Sequence, residues 1–390
     1  MTFLNNPLFR QIRNRLNGRA QNGDPRPLEI DTSRRFLEVH MDITSRCNLA
    51  CPFCYRHDYE KGSGDEIERG ILEKIAERVF PHSHTVYLSC NSEPLLTRHF
   101  EYSLQLTNKY GVENTRFHTN AAPLNQSKAL MCIENNVESI IVSFESTDAE
   151  KFAYFREGTT MERVFHNVDQ LRRLRDERGL KRPEIHFQML IMRSNIDDWC
   201  KMADLAREHG AQKIFFIHML PINQSMRDDC LFYHQQECND GLARLREHVK
   251  DWGIPAGIPR DFYFQRSGEA ENPPPQVPCN LPWNQLYLDI DGNAKPCTLL
   301  FKDEFGSILE QDLRALYNND AFREIRMEHI GGKFRKTCAH CLYKCDYESE
   351  LSFYDPFDMS YTKDQSVSID EVRRRTPTLK RLGSNQAGPS

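Results

Sequence analysis

With 390 residues and a hydrophobic fraction of 39%, the chain is long enough for one large α/β domain and a smaller one. Lysine and arginine (51) nearly balance aspartate and glutamate (56), and the net charge of −5 predicts no overall basic surface for nucleic acid. No uninterrupted apolar run approaches the length of a transmembrane helix, and the N-terminus lacks a secretory signal. We therefore expect a cytoplasmic protein that has no membrane partner.

The chain begins with residues 1–36, a predicted N-terminal extension interrupted by proline and glycine. From Phe36 onward, predicted strands alternate with amphipathic helices. The strands are FLEVHMDI, TVYLSC, TRFHTN, SIIVSF, EIHFQMLIM and KIFFIHML. Six β/α units within residues 37–225 predict a partial (β/α)₆ barrel of the α/β class, with its chemistry at the carboxyl ends of the strands.

The remaining segments predict a smaller domain and a tail. Residues 226–275 predict a helix and then a proline-rich linker, GEAENPPPQVP. Residues 276–350 predict a small α+β domain: LYLDIDGNAKPCTLL indicates a β-hairpin around an Asp-Gly turn, and ILEQDLRALYNNDAFREIRMEHI indicates one helix. Residues 351–390 are polar, and we expect most of them to be disordered.

Thirteen cysteines are many for this length, and without a secretory signal their short spacings favour metal binding over disulfides. Cys47, Cys51 and Cys54 form a CxxxCxxC motif directly after the first strand. Three thiolates can bind three irons of a [4Fe–4S] cube and leave the fourth iron open. A structural zinc site needs four ligands, and His57 is the nearby candidate for the fourth. The spacing favours the iron–sulfur cluster.

This motif resembles that of the radical S-adenosylmethionine (SAM) superfamily, and the resemblance covers about residues 37–225. In that family the open iron binds SAM. One electron from an external flavodoxin-type or ferredoxin-type reductant then splits SAM into methionine and a 5′-deoxyadenosyl radical, which takes a hydrogen atom from the substrate. The resemblance therefore implies SAM and a [4Fe–4S] cluster as cofactors.

Later segments resemble the family's SAM-binding elements in the same order. CNSEP resembles a Gly-Gly-Glu-Pro turn whose two glycines are replaced by Asn91 and Ser92, and HTNAAP resembles Thr-Asn-Gly with Ala121 at the glycine. IIVSFES resembles Ser-x-Asp, with both polar side chains on one face of the strand. Arg156 stands where family members place an arginine near SAM, although a surface helix cap is an equal alternative. The implied SAM contacts are Phe53, Glu93, Asn120, Ser143, Arg156 and Asn195.

A second group of cysteines follows the linker and resembles the auxiliary-cluster domains called SPASM and twitch. Its members are Cys279, Cys297, Cys338, Cys341 and Cys345. Four thiolates saturate one cube, so five cysteines predict one auxiliary [4Fe–4S] cluster rather than two. The first four are the preferred ligands, with Cys345 competing for one place. A zinc ribbon built from the same thiolates is the alternative.

Polar groups near strand ends are candidates for the reaction itself. Glu145, His118 and His218 are possible bases, although histidines at such positions also occur as buried core residues. Cys90 is a possible hydrogen-atom donor, but its neighbours favour a small buried thiol.

The spacing of the auxiliary cysteines most resembles that of the twitch-type dehydrogenase of aminoglycoside (butirosin) biosynthesis. We therefore expect hydrogen abstraction from a small polar molecule that ends in oxidation of a secondary alcohol to a ketone. A peptide-modifying enzyme is one alternative, and a sugar epimerase is another if Cys90 lines the cavity. A non-enzymatic iron–sulfur protein is disfavoured by the SAM-binding elements.

Overall fold

The computed structural model describes residues 26–54, 65–221, 224–262, 279–300, 303–339 and 341. The strands are β1 (Leu37–Met41), β2 (Ser83–Tyr87), β3 (Asn114–Thr119), β4 (Ser139–Ser143), β5 (Glu184–Ile191), β6 (Lys213–His218), β7 (Ala256–Gly257), β8 (Gln285–Leu288) and β9 (Ala294–Lys295). The helices are α1 (Arg69–Val79), α2 (Phe100–Lys109), α3 (Gln126–Glu134), α4 (Ala149–Phe155), α5 (Met161–Asp176), α6 (Trp199–Glu208), α7 (Gln224–Arg227), α8 (Gln235–Val249), α9 (Leu281–Asn284), α10 (Leu313–Tyr317), α11 (Asp320–Gly331) and α12 (Lys336–Ala339).

The nine strands within the described ranges form one sheet in the order β7-β6-β5-β4-β3-β2-β1-β8-β9. Every neighbouring pair is parallel except β8 and β9, which are antiparallel. Strands β1 to β6 and the helices between them confirm the predicted partial barrel. Because parallel strands place their carboxyl ends at one edge, the loops after β1 to β6 meet there.

The hydrophobic core lies between the sheet and the helices. Phe144, Phe165 and Phe187 follow or belong to β4, α5 and β5, and their ring centroids lie 5.1–6.4 Å apart. All three side chains are buried, and burying one phenylalanine stabilises a fold by roughly 1.5–3 kcal/mol. This packing holds the strand ends in fixed relative positions.

The auxiliary hairpin continues the barrel sheet instead of forming a separate layer. Strand β8 pairs with β1 from Glu38 opposite Gln285 to Met41 opposite Leu288. Gly292 makes the predicted Asp-Gly turn possible: its φ is +78°, and a Cβ atom there would lie 2.9 Å from Leu309. The hairpin prediction is confirmed, and the sheet shows where the hairpin attaches.

The prediction of one helix over ILEQDLRALYNNDAFREIRMEHI is wrong, because the segment forms two helices, α10 and α11. Asn319 is the N-cap of α11, and its side-chain oxygen accepts a hydrogen bond of 3.0 Å from the amide of Phe322. Such a cap begins a new helix and interrupts the preceding one.

The segment predicted as helix and linker contributes to the barrel. Helix α8 packs against α6, and β7 pairs with β6, so residues 226–262 belong structurally with the strands before them. The expectations for residues 1–25, 263–275 and 351–390, for His57 and for Cys345 fall on parts of the chain that the structure does not describe. Within the described ranges, no helix is both long enough and apolar enough to cross a membrane.

Candidate active site

A cavity of about 490 Å³ opens at the carboxyl ends of β1 to β6. Its wall brings together residues that lie far apart in the sequence. The predicted site residues on this wall are Cys47, Cys51, Phe53, Cys54, Cys90, Glu93, His118, Asn120, Ser143, Glu145, Arg156 and His218.

The three cysteines of the first motif occupy the loop after β1. Cys51 is buried, and the other two thiols are half-buried. Burial raises the pKa of Cys51, and the neighbouring Cys54 and Cys47 add to this, while Arg156 opposes it. The three thiols of this loop form a donor set that fits a [4Fe–4S] cube with one open iron.

No three Cys, His, Asp or Glu side chains within the described ranges are arranged to hold a single metal ion. A [4Fe–4S] cube needs a different arrangement of ligands, because each thiolate binds a different iron atom.

Arg156 follows α4 and lies beside this loop. Its guanidinium donates to both carboxylate oxygens of Glu145, and its Nη1 lies 3.8 Å from the sulfur of Cys51. Burial alone would lower the pKa of Arg156, but Glu145 and the nearby thiols hold it above its ordinary value. The arginine is therefore a buried cation next to the predicted cluster and not a surface helix cap.

Glu93 lies in the loop after β2 and is only 1% exposed. Its carboxylate accepts hydrogen bonds from the Thr119 hydroxyl (2.9 Å), the Asn120 amide (2.8 Å) and the Leu95 amide (3.2 Å). Burial raises the pKa of Glu93 to about 7, against the lowering effect of these donors. Three donors leave part of the acceptor capacity of two carboxylate oxygens for a ligand.

The loop after β3 has the backbone conformation that its family resemblance suggests. Ala121, at the position of the family's glycine, has φ +56°, a left-handed conformation that glycine adopts most easily. The side-chain nitrogen of Asn120 donates to the side-chain oxygen of Asn48 (3.0 Å) and lies 4.0 Å from the sulfur of Cys47. The loops after β1 and β3 are thus in direct contact.

Asn195 does not line the cavity. Its side-chain nitrogen donates to the backbone oxygens of Glu145 (3.0 Å) and Leu190 (2.8 Å). Its oxygen accepts from the Met192 amide (2.9 Å) and the Trp199 indole (2.8 Å). The side-chain amide of Asn195 thus makes its four hydrogen bonds to protein groups. The expectation of a SAM contact is corrected, and Asn195 instead fixes the backbone at Glu145.

The candidate bases differ in their surroundings. The carboxylate of Glu145 is taken by Arg156. His118 is half-buried and stacks on Tyr87 at 5.7 Å, and burial together with His40 lowers its pKa to about 3. His218 is 4% exposed, and burial lowers its pKa to about 3 as well. Neither ring nitrogen of His218 has a hydrogen-bond partner among the described residues.

Ser143 and Glu145 both face the cavity, as the alternation of side chains along β4 predicts. Phe53 lies on the same wall, 5.9 Å from Phe155 between ring centroids. Cys90 is half-buried and lines the cavity. The expectation that its neighbours would bury it is therefore wrong.

Four cysteines of the second group line a smaller cavity of about 110 Å³. They are Cys279, Cys297, Cys338 and Cys341. Burial raises the pKa of Cys297 to about 12, although the Leu299 amide, whose nitrogen lies 3.4 Å from its sulfur, and the Thr298 hydroxyl lower it. Four thiols in a small cavity are a donor set that fits one cube.

Sequence reasoning missed several residues of these two sites. His329 lines the smaller cavity, and its Nδ1 accepts a hydrogen bond of 3.2 Å from the Cys279 amide. Asp42 accepts a hydrogen bond from the loop that contains Glu93, and Tyr287 donates a hydrogen bond to Asp42. None of these residues belongs to a motif, so only their positions near strand or helix ends distinguish them.

The two cavities share part of their walls. Gln285, Thr298 and Leu299 line both of them. The two cavities are therefore adjacent, with these three residues between them.

Comparison with known proteins agrees with this geometry. Residues 41–232 match the radical SAM superfamily, and residues 279–342 match SPASM, an iron–sulfur cluster-binding domain.

Three similar proteins illustrate the range of relatives. The tungsten-containing aldehyde ferredoxin oxidoreductase cofactor-modifying protein of Pyrococcus furiosus is 22% identical, over 79% of this chain and 88% of its own. A probable GTP 3′,8-cyclase of Methanothermobacter thermautotrophicus is 22% identical, over 68% and 85%. The crystal structure of Streptococcus suis SuiB bound to the precursor peptide SuiA is 14% identical, has a TM-score of 0.60, and covers 94% of this chain and 81% of its own.

The structural similarity, at this identity, shows the shared fold, and the two domain matches show the cofactors. The chain therefore belongs to the radical SAM superfamily: it is a radical SAM enzyme that uses SAM and a [4Fe–4S] cluster and carries a SPASM iron–sulfur domain.

Proposed function

We propose that this enzyme oxidises a small polar substrate at a C–H bond, converting a secondary alcohol into a ketone. In this reaction the substrate carbon loses one hydrogen atom, and the resulting radical then loses one electron and the hydroxyl proton. When bound, SAM and its cluster supply the acceptor of the hydrogen atom, and an auxiliary cluster supplies an acceptor for the electron. The residues of this chain must place the substrate between them and take the proton.

The shared wall between the cavities carries the proposal. A substrate in the large cavity would contact Gln285, Thr298 or Leu299 on one side, and the same residues border the four auxiliary thiols. Electron transfer out of a substrate radical needs an acceptor site close by, and the adjacent cavity supplies one. We propose that Cys279, Cys297, Cys338 and Cys341 hold the one auxiliary cluster.

His218 is the best-placed group for the hydroxyl proton. Its ring is nine-tenths buried, lines the large cavity and has no hydrogen-bond partner among the described residues. Its low pKa keeps the ring neutral at pH 7, so one nitrogen can accept a hydrogen bond from the substrate hydroxyl. A buried polar group without a partner costs stability, which a ligand hydroxyl would recover.

The charge on the wall favours a substrate without phosphate groups. Among the described residues that line the large cavity, Arg156 is the single arginine or lysine, and Glu145 already pairs with it. The triphosphate named by the GTP 3′,8-cyclase relatives would require additional cations. Neutral polar groups such as His218, Gln188 and Thr298 suit hydroxyls instead.

Cys90 supports a second candidate function. A thiol on the cavity wall can return a hydrogen atom to a substrate radical, and Cys90 is half-buried on that wall. The product would then have the oxidation state of the substrate, as in an epimerase. We place oxidation first because it also gives the auxiliary site a role.

Two further parts of the proposal concern the electron donor and the place of action. The electron that initiates the reaction would come from an external flavodoxin-type or ferredoxin-type protein, and the enzyme would act in the cytoplasm. The SuiB structure contains a peptide, but its similarity extends to the fold alone, so a peptide substrate is kept only as an alternative.

The test uses small molecules extracted from cells that lack the gene. The reconstituted enzyme, SAM and a reductant are incubated with this extract in deuterated water, and mass spectra are recorded after exchange back into ordinary water. The variant with Cys47, Cys51 and Cys54 all changed to alanine is the control. We expect a consumed compound and a product lighter by two hydrogen atoms. A product of unchanged oxidation state with one solvent deuterium on carbon, absent in Cys90→Ala, would establish the second candidate.

A further inference from the structure

We propose that the SPASM domain positions the SAM-binding loop of the barrel, through a hydrogen bond from Tyr287 to Asp42. The loop in question is residues 90–93, which ends in Glu93. Tyr287 does not line the cavity, so it acts as a positioning residue and not as a ligand of SAM.

Asp42 lies directly after β1 and is buried. Its Oδ1 accepts hydrogen bonds from the amide of Cys90 (2.9 Å), the amide of Asn91 (3.0 Å) and the hydroxyl of Ser92 (2.9 Å). Three consecutive residues of the loop are thus held by one carboxylate oxygen. Because three donors from the loop converge on one buried oxygen, Asp42 fixes the loop's path.

The second oxygen of Asp42 is held by the other domain. The Tyr287 hydroxyl, on β8, donates to Oδ2 at 2.8 Å and accepts from the side-chain nitrogen of Asn91 at 2.7 Å. The Tyr287 hydroxyl therefore bonds both to Asp42 and to the loop that Asp42 holds. Because β8 pairs with β1, the SPASM domain brings this hydroxyl to the barrel in a fixed position.

This arrangement explains how the loop functions without the two glycines of the family. Asn91 and Ser92 stand at those positions, and both use their side chains in the network. Glycines permit a loop conformation, whereas these side chains hold one in place. Glu93 is also held at its backbone: its amide donates a hydrogen bond of 2.9 Å to the backbone oxygen of Arg46, the residue before Cys47.

Removing the Tyr287 hydroxyl should therefore weaken SAM binding without removing any group that touches SAM. In Tyr287→Phe, Oδ2 of Asp42 loses its donor and Asn91 loses its acceptor. The test measures the dissociation constant of SAM by equilibrium dialysis on the reconstituted protein, and the electron paramagnetic resonance spectrum of the reduced cluster with and without SAM. Iron content and melting temperature are recorded for each variant.

Tyr317→Phe is the matched control. Tyr317 is also a buried tyrosine, and its hydroxyl also bonds to β8, donating to the backbone oxygen of Gln285 at 3.1 Å. We expect Tyr287→Phe to raise the dissociation constant of SAM about tenfold and Tyr317→Phe to leave it unchanged. Both variants should lower the melting temperature by a similar amount. Unchanged affinity in Tyr287→Phe, or an equal loss in both variants, would overturn the proposal.

A double variant tests whether Asp42 is the common anchor. Ser92→Ala removes a different donor to the same carboxylate. If both side chains act through Asp42, the double variant Tyr287→Phe/Ser92→Ala should weaken SAM binding by less than the product of the two single effects. Effects that multiply fully would mean that the two contacts act independently, and the proposed anchor would be wrong.

Discussion

The large cavity, here called the SAM side, and the small cavity with the four cysteines, here called the auxiliary side, are lined by different kinds of side chain. On the SAM side, the charged groups are held by polar partners: Glu93 accepts hydrogen bonds from Thr119 and Leu95, and Arg156 donates two hydrogen bonds to Glu145. The auxiliary cavity places its four thiols among mostly apolar side chains, and its polar lining residues are Gln285, Thr298, His329 and Thr337.

This difference indicates different tasks. SAM carries both an ammonium and a carboxylate group, so its site needs fixed charges and donors in defined places. An auxiliary cluster is held by thiolates alone, and its surroundings act mainly on its reduction potential. Changes on the SAM side should therefore appear as lost binding or cleavage, and changes on the auxiliary side as altered electron transfer.

The largest expected effect tests the SAM side. Replacing Cys47, Cys51 and Cys54 together with alanine removes all protein ligands of the first cluster, so formation of 5′-deoxyadenosine should stop. Iron should fall from about eight to about four per chain, because the auxiliary cube keeps its four ligands. Formation of 5′-deoxyadenosine at the wild-type rate would contradict the site assignment, and zinc in place of the remaining iron would establish a ribbon.

A smaller effect is expected from Glu93→Gln. A hydrogen bond to a charged group contributes roughly 1.5–3 kcal/mol, so losing the charge should weaken SAM binding by about tenfold to a hundredfold. The change also places an amide among the donors of Thr119, Asn120 and Leu95, which adds to the loss. The measurement is the dissociation constant of SAM, and an unchanged value would remove Glu93 from the SAM site.

The same carboxyl predicts a pH dependence. The pKa of Glu93 is raised to about 7 by burial, and the ionised form is the one that would attract the ammonium group of SAM at the expected contact. SAM affinity should therefore fall as the pH falls through 7, because the carboxyl becomes protonated. Glu93→Gln should lack this dependence, and an identical pH profile in both proteins would assign it to another group.

The smallest effect is expected on the shared wall. Thr298→Val keeps the shape of the side chain but removes the hydroxyl that bonds Cys297. A neutral hydrogen bond contributes about 0.5–1.5 kcal/mol, so the auxiliary reduction potential should become more negative by up to about 60 mV. SAM affinity should stay at the wild-type value. A redox titration followed by electron paramagnetic resonance measures the shift, and a change in SAM affinity instead would contradict the division of tasks.

The fold was predictable where the signals are local. The alternation of strands and helices, the Asp-Gly hairpin and the cysteine spacings each depend on residues close together in the sequence. The break between α10 and α11 was missed, because the capping role of Asn319 is visible only where its side chain meets the Phe322 amide.

Long-range contacts were not predictable from the sequence. Tyr287 and Asp42 are 245 positions apart, and no spacing rule links a strand of the second domain to the end of β1. The same limit explains Asn195, whose place near a strand end suggested a ligand contact. Its four hydrogen bonds instead go to Leu190 in β5, Met192 directly after β5, Trp199 at the start of α6 and Glu145 in the loop after β4.

The most direct test of the account is the ratio of oxidised product to 5′-deoxyadenosine in Cys297→Ala, measured with the substrate found as described above. Cys297 binds no part of the SAM side, so this variant should still form 5′-deoxyadenosine. Without the auxiliary cluster the substrate radical has no acceptor for its electron. We predict a ratio near one in the wild-type protein and near zero in Cys297→Ala. A wild-type ratio in Cys297→Ala, with its iron reduced to about four per chain, would contradict the proposed role of the auxiliary site.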